Sequence, residues 1–207
     1  MVEEKFKIIL ADPPWKFKTY SVPKDGKRFR PDCQVWRNAD IHYSTMTLDQ
    51  IKQLPVGELA EKDSVLFLWT TFPYLQKSFG VVDAWGFKFK TVGFVWIKLN
   101  KRGGCDRLSQ ESEIRLSDLF MGGGYYTRSN AEICLLCSKG RGVQRVDRSV
   151  RQVVLSRRRA HSQKPDEVRE RIVQLFGDLS RVELFAREKA EGWLAWGKDV
   201  ENDIEFA

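Results

Sequence analysis

The chain has 207 residues, 42% hydrophobic and 30% charged, with a net charge of +7. That balance excludes a disordered chain and suits one domain with a real core. No apolar run is long enough to cross a bilayer as a helix. The opening MVEEKFKII carries acids and lacks the apolar centre of a secretory signal, so a cytoplasmic location is expected.

The apolar runs, in chain order, are FKIILA (6–11), SVLFLWT (64–70), TVGFVWIK (91–98), AEICLLCS (131–138) and RVELFA (181–186). They are near-continuous rather than alternating, the pattern of strands buried on both faces. Helical patterns lie between them. MTLDQIKQL offers Thr47 as an N-cap with Gln50 three residues on, a capping box. PYLQKSFGVVDAWG ends at Gly86, and KPDEVRERIVQLFG has Pro165 and acids at its start and Gly177 at its end. Strands alternating with helices predict an α/β fold, a mostly parallel twisted sheet with helices on both faces, in a single domain over 1–207. Two polar stretches, 16–42 and 100–130, interrupt the pattern and are expected to be active-site loops.

The positive charge is concentrated. Between Lys139 and Lys164 stand nine Lys or Arg against one acid, Asp147, while the rest of the chain holds 26 basic and 27 acidic residues. Such a belt, with Val146, Val150, Val153, Val154 and Leu155 to anchor it, points to a polyanionic partner; a solvated charged loop is the plainer alternative. Four cysteines are present: Cys33, Cys105, Cys134 and Cys137. Cys134 and Cys137 form a CxxC on a strand-like run, where residues three apart face opposite ways. With His42 and His161 isolated, structural thiols and no metal are expected.

The chemistry concentrates at ADPPW. Ligands of open α/β sheets bind at the carboxyl ends of strands, and Asp12 stands at such an end. Pro13 and Pro14 fix φ and carry no N–H, leaving their carbonyls as acceptors. A carboxylate beside backbone oxygens suits a planar NH2 group, and Trp15 offers a flat surface for a heterocycle. An aspartate-capped turn with a core tryptophan is the plainer reading of the same residues.

ADPPW resembles the signature of the S-adenosylmethionine-dependent adenine N6-methyltransferases, and more closely their MT-A-seventy-like branch, including its bacterial and phage members. HYSTMTLDQIKQLPV, LFLWTTFPYL, GGGYYTRSNAEICLLCSKG, HSQKPDEVRERI and RVELFAREKAEGWLAWG resemble further family segments in the family's order. The resemblance spans nearly the whole chain. It implies a permuted Rossmann-like methyltransferase fold, a seven-stranded sheet with one antiparallel strand, the cofactor elements lying downstream of the catalytic strand. By the same resemblance Asp12 and the Pro13 carbonyl hold the adenine amine, Pro14 shapes the turn and Trp15 lines the base pocket. Tyr43 and Glu132 lie beside the substrate. Lys164, Glu183, Arg187 and Gly197 serve S-adenosylmethionine. Where the family has a His-Asn pair after the arginine this chain has Lys189 and Ala190, and Lys198 and Asp199 follow Gly197, so contacts there are not implied.

The expected function is methyl transfer to the N6 amine of adenine in nucleic acid, DNA before RNA, with Arg157, Arg158 and Arg159 gripping phosphates. RNA methylation and a non-catalytic nucleic-acid-binding partner are the alternatives. A homodimer is expected only by analogy with the family.

Overall fold

A computed structural model describes residues 5–16, 45–101, 114–124, 126–160 and 163–206. Seven strands form one sheet: β1 (Phe6–Ala11), β2 (Ala60–Thr70), β3 (Lys88–Leu99), β4 (Ala131–Lys139), β5 (Val153–Arg157), β6 (Arg181–Leu184) and β7 (Leu194–Trp196). Their order across the sheet is β5-β3-β4-β2-β1-β6-β7. β4 runs antiparallel to both its neighbours, β2 and β3, and every other pairing is parallel. The expected α/β architecture with one reversed strand is therefore observed.

The five near-continuous apolar runs all became strands; where a strand is covered on both faces it has no polar side to show. β1 and the second half of β2 are almost entirely buried. Helices α1 (Leu48–Gln53), α2 (Val56–Leu59) and α3 (Leu75–Ala84) cover one face. There Ile51, Val56, Leu59, Val81 and Val82 join Ile9, Leu66 and Leu135. Helix α4 (Glu167–Phe176) covers the other with Val168, Ile172 and Phe176 against Ile8, Phe67 and Phe94. Cys134 and Cys137, both buried, fall in the two different cores, as alternation along a strand requires. Burial pushes the Cys137 thiol up to about 12.

Thr47 caps α1 in a reciprocal capping box: its hydroxyl accepts from the Gln50 N–H, and the Gln50 side chain accepts from the Thr47 N–H. Gly86 (φ 76°) follows α3 and Gly177 (φ 82°) ends α4, both in the left-handed region that glycine adopts without penalty.

Two strands escape a reading for apolar runs. β5 is an edge strand that alternates, with Val154 buried and Val153 and Leu155 exposed. β7 has three residues. Of the five apolar residues expected to anchor the basic belt, Val154 is buried and Val150 packs on the core, whereas Val146 is exposed. The region 16–42, apart from Lys16, lies outside the described residues, as do 102–113 and Tyr125.

Candidate active site

β1, β2, β3, β5, β6 and β7 share one direction, so their carboxyl ends form one edge. The reversed β4 begins at that same edge: Glu132 pairs with Trp96 and Ile133 with Thr70. Asp12 (after β1), Glu132 (at the start of β4), Lys164 (before α4) and Arg187 (after β6) are thereby brought together from four distant parts of the chain. Asp12, Lys164 and Arg187 line a cleft between the sheet and the N-terminal end of α4, with Glu132 behind Lys164. It encloses about 440 Å³, counted to its open mouth, and is lined by Asp12, Trp69, Lys164, Arg169, Glu183 and Phe185 among others.

An alternating row of charges crosses the head of the cleft. Lys164 Nζ donates to Asp12 Oδ2 at 2.7 Å and lies 3.4 Å from Glu132 Oε2, while the Lys98 ammonium pairs with Glu132 Oε1. The side chains of Asp12, Glu132 and Lys164 are 20%, 16% and 13% exposed, so the row is sheltered but open to the cleft. Burial raises the Asp12 carboxyl above its ordinary range; Lys164 opposes the rise and Glu132 adds to it. Burial also pushes Glu132 up, but Lys164 and Lys98 together outweigh it and hold that carboxyl below its usual value. Burial alone would lower the Lys164 ammonium, yet the two carboxylates drive its pKa upward. Opposite charges thus alternate along the row, each offsetting the next.

A second network lines the floor. The Arg169 guanidinium donates to Glu183 Oε2 at 2.8 Å and to Glu188 Oε1 at 3.0 Å, and pairs also with Asp166. Glu183 is raised by burial, against the pull of Arg169. Phe185, on the cleft wall, has φ 63°; it is the one non-glycine residue with positive φ among the described residues. Such strain is held only where the surroundings over-determine it, and it clusters at functional sites.

Several expectations need correction. The Pro13 and Pro14 carbonyls are engaged: Pro13 O accepts from the Trp15 N–H at 2.8 Å and Pro14 O from the Met46 N–H at 2.9 Å. Trp15 is buried in the core on the α1–α3 side of the sheet, its indole N–H donating to the Trp69 carbonyl at 3.1 Å. It supports the turn rather than presenting a stacking face. The aromatic walls of the cleft are Trp69, whose ring centre lies 5.6 Å from Lys164 Nζ, and Phe185. Gly197 does not line the cleft. Its backbone is pressed so closely on Ala186 that a Cβ would lie 2.0 Å from the Ala186 carbonyl oxygen, which is reason enough for a glycine. Tyr43 lies outside the described residues.

The basic belt is divided. Arg157 ends β5 at the site's edge, and Arg158 and Arg159 follow it. Arg141, by contrast, follows β4 at the opposite edge, paired with Asp63 just before the apolar half of β2. Arg159 turns inward to Asp166 and to the Lys164 carbonyl, and Arg158 lies 3.3 Å over the centre of the Phe120 ring.

The reading from sequence missed Lys98, Arg169, Phe185 and Trp69. Lys98 and Arg169 had a signal. Lys98 ends an apolar strand on the face of Phe94 and Trp96. Arg169 sits three residues before Ile172, inside the apolar stripe of α4. A charge on an inward face asks for a buried partner.

A reversed strand within a parallel sheet, carboxylates at the strand ends and a cleft beside them define an α/β transferase of the methyltransferase type. The chain belongs to the MT-A70 family, whose model matches residues 6–199, and is a methyltransferase. It is similar to the Type II methyltransferase M.MunI of Mycoplasma sp, 32% identical over 98% of this chain and 82% of that protein. It is also similar to the N(6)-adenosine-methyltransferase MT-A70-like of Arabidopsis thaliana, 25% identical over 94% of this chain and 24% of that protein. The N(6)-adenosine-methyltransferase catalytic subunit METTL3 of Homo sapiens is 24% identical over 95% of this chain and 28% of that protein. The chain thus spans about a quarter of the length of the two adenosine enzymes.

Proposed function

We propose that the protein transfers a methyl group from S-adenosylmethionine to the exocyclic N6 amine of adenine in DNA. The observation that carries this reading is the Asp12 carboxylate, held at the head of an open cleft and tied to Glu132 through one lysine. The adenine target is supported by the names of the adenosine methyltransferases among the relatives. The preference for DNA leans on the stronger and longer likeness to the Type II methyltransferase.

The cleft fits the cofactor by its donors and acceptors. Glu183 is a sheltered carboxylate suited to a ribose diol, Arg187 a cation suited to a carboxylate, and Trp69 and Phe185 are flat apolar walls. When bound, S-adenosylmethionine supplies a methyl group on a positively charged sulfur, electrophilic enough for a neutral amine. Asp12 then has three tasks. It accepts a hydrogen bond from the amine, which localises the nitrogen lone pair otherwise spread into the ring. It fixes the direction of that lone pair, and positioning of this kind carries much of the rate. Its raised pKa also equips it to take up the proton that the nitrogen sheds once the new C–N bond has formed. Lys164 donates to one of the two carboxylate oxygens, Oδ2, and can withdraw from it. Glu132 can keep the ammonium when it does, because Lys164 already lies within ion-pair distance of both acids.

Incubation with labelled cofactor and separate DNA and RNA pools, followed by mass analysis of the nucleosides, tests the proposal. N6-methyladenine from DNA is the expected product. Methylation confined to RNA would move the substrate, and label on cytosine or on neither pool would overturn the reading.

A further inference from the structure

A finger of chain at the head of β3 has no part in the chemistry above. The Phe120 N–H donates to the Lys98 carbonyl and the Lys98 N–H to the Asn130 carbonyl, both at 2.8 Å; the Gly122 N–H donates to the Ser129 carbonyl at 3.0 Å. These bonds draw 120–124 and 126–130 alongside one another. Glycine makes this approach feasible: a Cβ on Gly122 would lie 2.4 Å from the Ser129 oxygen, and one on Gly124 2.0 Å from the Thr127 oxygen. The loop's foot is Lys98, whose ammonium holds Glu132, so the finger rises from the edge that carries Asp12.

The finger exposes side chains that folded proteins usually cover. Tyr126 is 104% exposed, Met121 72% and, on the approach, Leu116 88%. Three large apolar side chains left exposed within one short segment point to a contact surface. Among the described residues of 101–130 the exposed charges are Lys101, Arg115 and Arg128, all cations; Asp118 is half-buried and accepts from the Arg115 N–H. A second copy of the chain would bring the same positive charge to this surface and be repelled, whereas a polyanion would be drawn to it.

We propose that this finger is a wedge that enters a DNA duplex beside the target adenine, with Tyr126 filling the gap the base leaves as it turns out toward Asp12. The inference rests on the reading of DNA adenine as substrate. In a duplex the N6 amine is engaged in the base pair, so the adenine must leave the stack to be methylated. The vacated step costs stacking energy, which an inserted side chain recovers in part. A phenol ring stacks on either neighbour regardless of sequence. Lys101, Arg115 and Arg128 bind the flanking phosphates and hold the finger in register.

The test compares native with heat-denatured DNA as methyl acceptor for the wild-type protein, Tyr126→Ala and Tyr126→Phe, alongside sedimentation of each. Tyr126→Ala is expected to lower the ratio of duplex to single-strand rates about tenfold, and Tyr126→Phe, which keeps the ring, to preserve it. An unchanged ratio in Tyr126→Ala overturns the wedge. So does an equal loss on both substrates, particularly with a change of oligomeric state, which would make the finger an interface between copies. A wild-type protein that methylates neither form overturns the DNA-adenine reading itself, and the wedge with it; an active wild type with an indifferent Tyr126→Ala removes the wedge alone.

Discussion

Lys164 and Asp12 stand 152 residues apart in the chain and 2.7 Å apart in the fold. Their pairing joins the start of α4 to the end of β1, and Glu132, 3.4 Å from the same ammonium, brings in β4. One cation thus holds together three elements and two carboxylates that would otherwise repel.

Replacing Lys164 by Met should therefore destabilise the protein by about 3–5 kcal/mol near neutral pH, the usual result of stranding sheltered charges. The cost has a sign in pH. Without the cation both carboxyl pKa values rise, and an acid whose folded pKa is raised destabilises the fold increasingly as pH climbs from its unfolded value through its folded one. The Lys164→Met deficit should shrink on acidification toward the ordinary carboxylate range. Denaturant unfolding of both proteins across acidic and neutral buffers checks this; a deficit that grows in acid contradicts it.

Glu132→Gln should move the acid limb of the pH–rate profile to lower pH. Transfer needs Asp12 ionised, and the rate falls as pH drops through its folded pKa. That value is raised chiefly by burial and in part by the negative charge of Glu132. Removing the neighbour's charge makes ionisation easier. The kcat/KM profile of both proteins gives the answer, and a limb displaced upward would show that Glu132 does not act on Asp12 in this way.

Glu183→Ala should weaken cofactor binding by about tenfold to a hundredfold, the range for losing hydrogen bonds to a charged group. The fold should survive it, because Arg169 retains Glu188 and Asp166. Calorimetric titration with S-adenosylmethionine measures the effect. An unchanged affinity would return Glu183 to a purely structural pairing with Arg169.

The divided belt makes a contrast. Replacing Arg157 and Arg158 should reduce the slope of log K against log salt for DNA by about 0.9 for each phosphate no longer neutralised. Replacing Arg141, at the opposite edge and paired with Asp63, should leave the slope alone. Arg159→Ala should instead loosen the start of α4, since its guanidinium binds the Lys164 carbonyl at 2.8 Å. Equal slopes for both sets would show that the belt acts as one surface after all.

These contrasts also show how far the sequence could be read. Buried strands were legible because nothing polar interrupts IILA in β1 or ICLLC in β4. Asp12 was legible because a carboxylate at the end of such a strand has few structural reasons to be there. What the sequence could not disclose was partnership. Arg159 looks like its neighbours Arg157 and Arg158 until α4 is seen to offer it Asp166. Trp15 reads as a stacking surface until the turn carries its indole across the sheet to the Trp69 carbonyl. The tenancy of Asp12 by Lys164 depends on two segments that only the closed sheet brings together. The splitting of the belt follows from the reversal of β4, a fact of topology that no local pattern encodes.

The central claim is that the Asp12 carboxylate receives the amine that is methylated. Asp12→Ala, given labelled cofactor and DNA, tests it most directly when transfer and DNA binding are measured on the same preparation. The expected result is loss of methyl transfer with DNA binding largely retained. Near-normal transfer by Asp12→Ala would contradict the account.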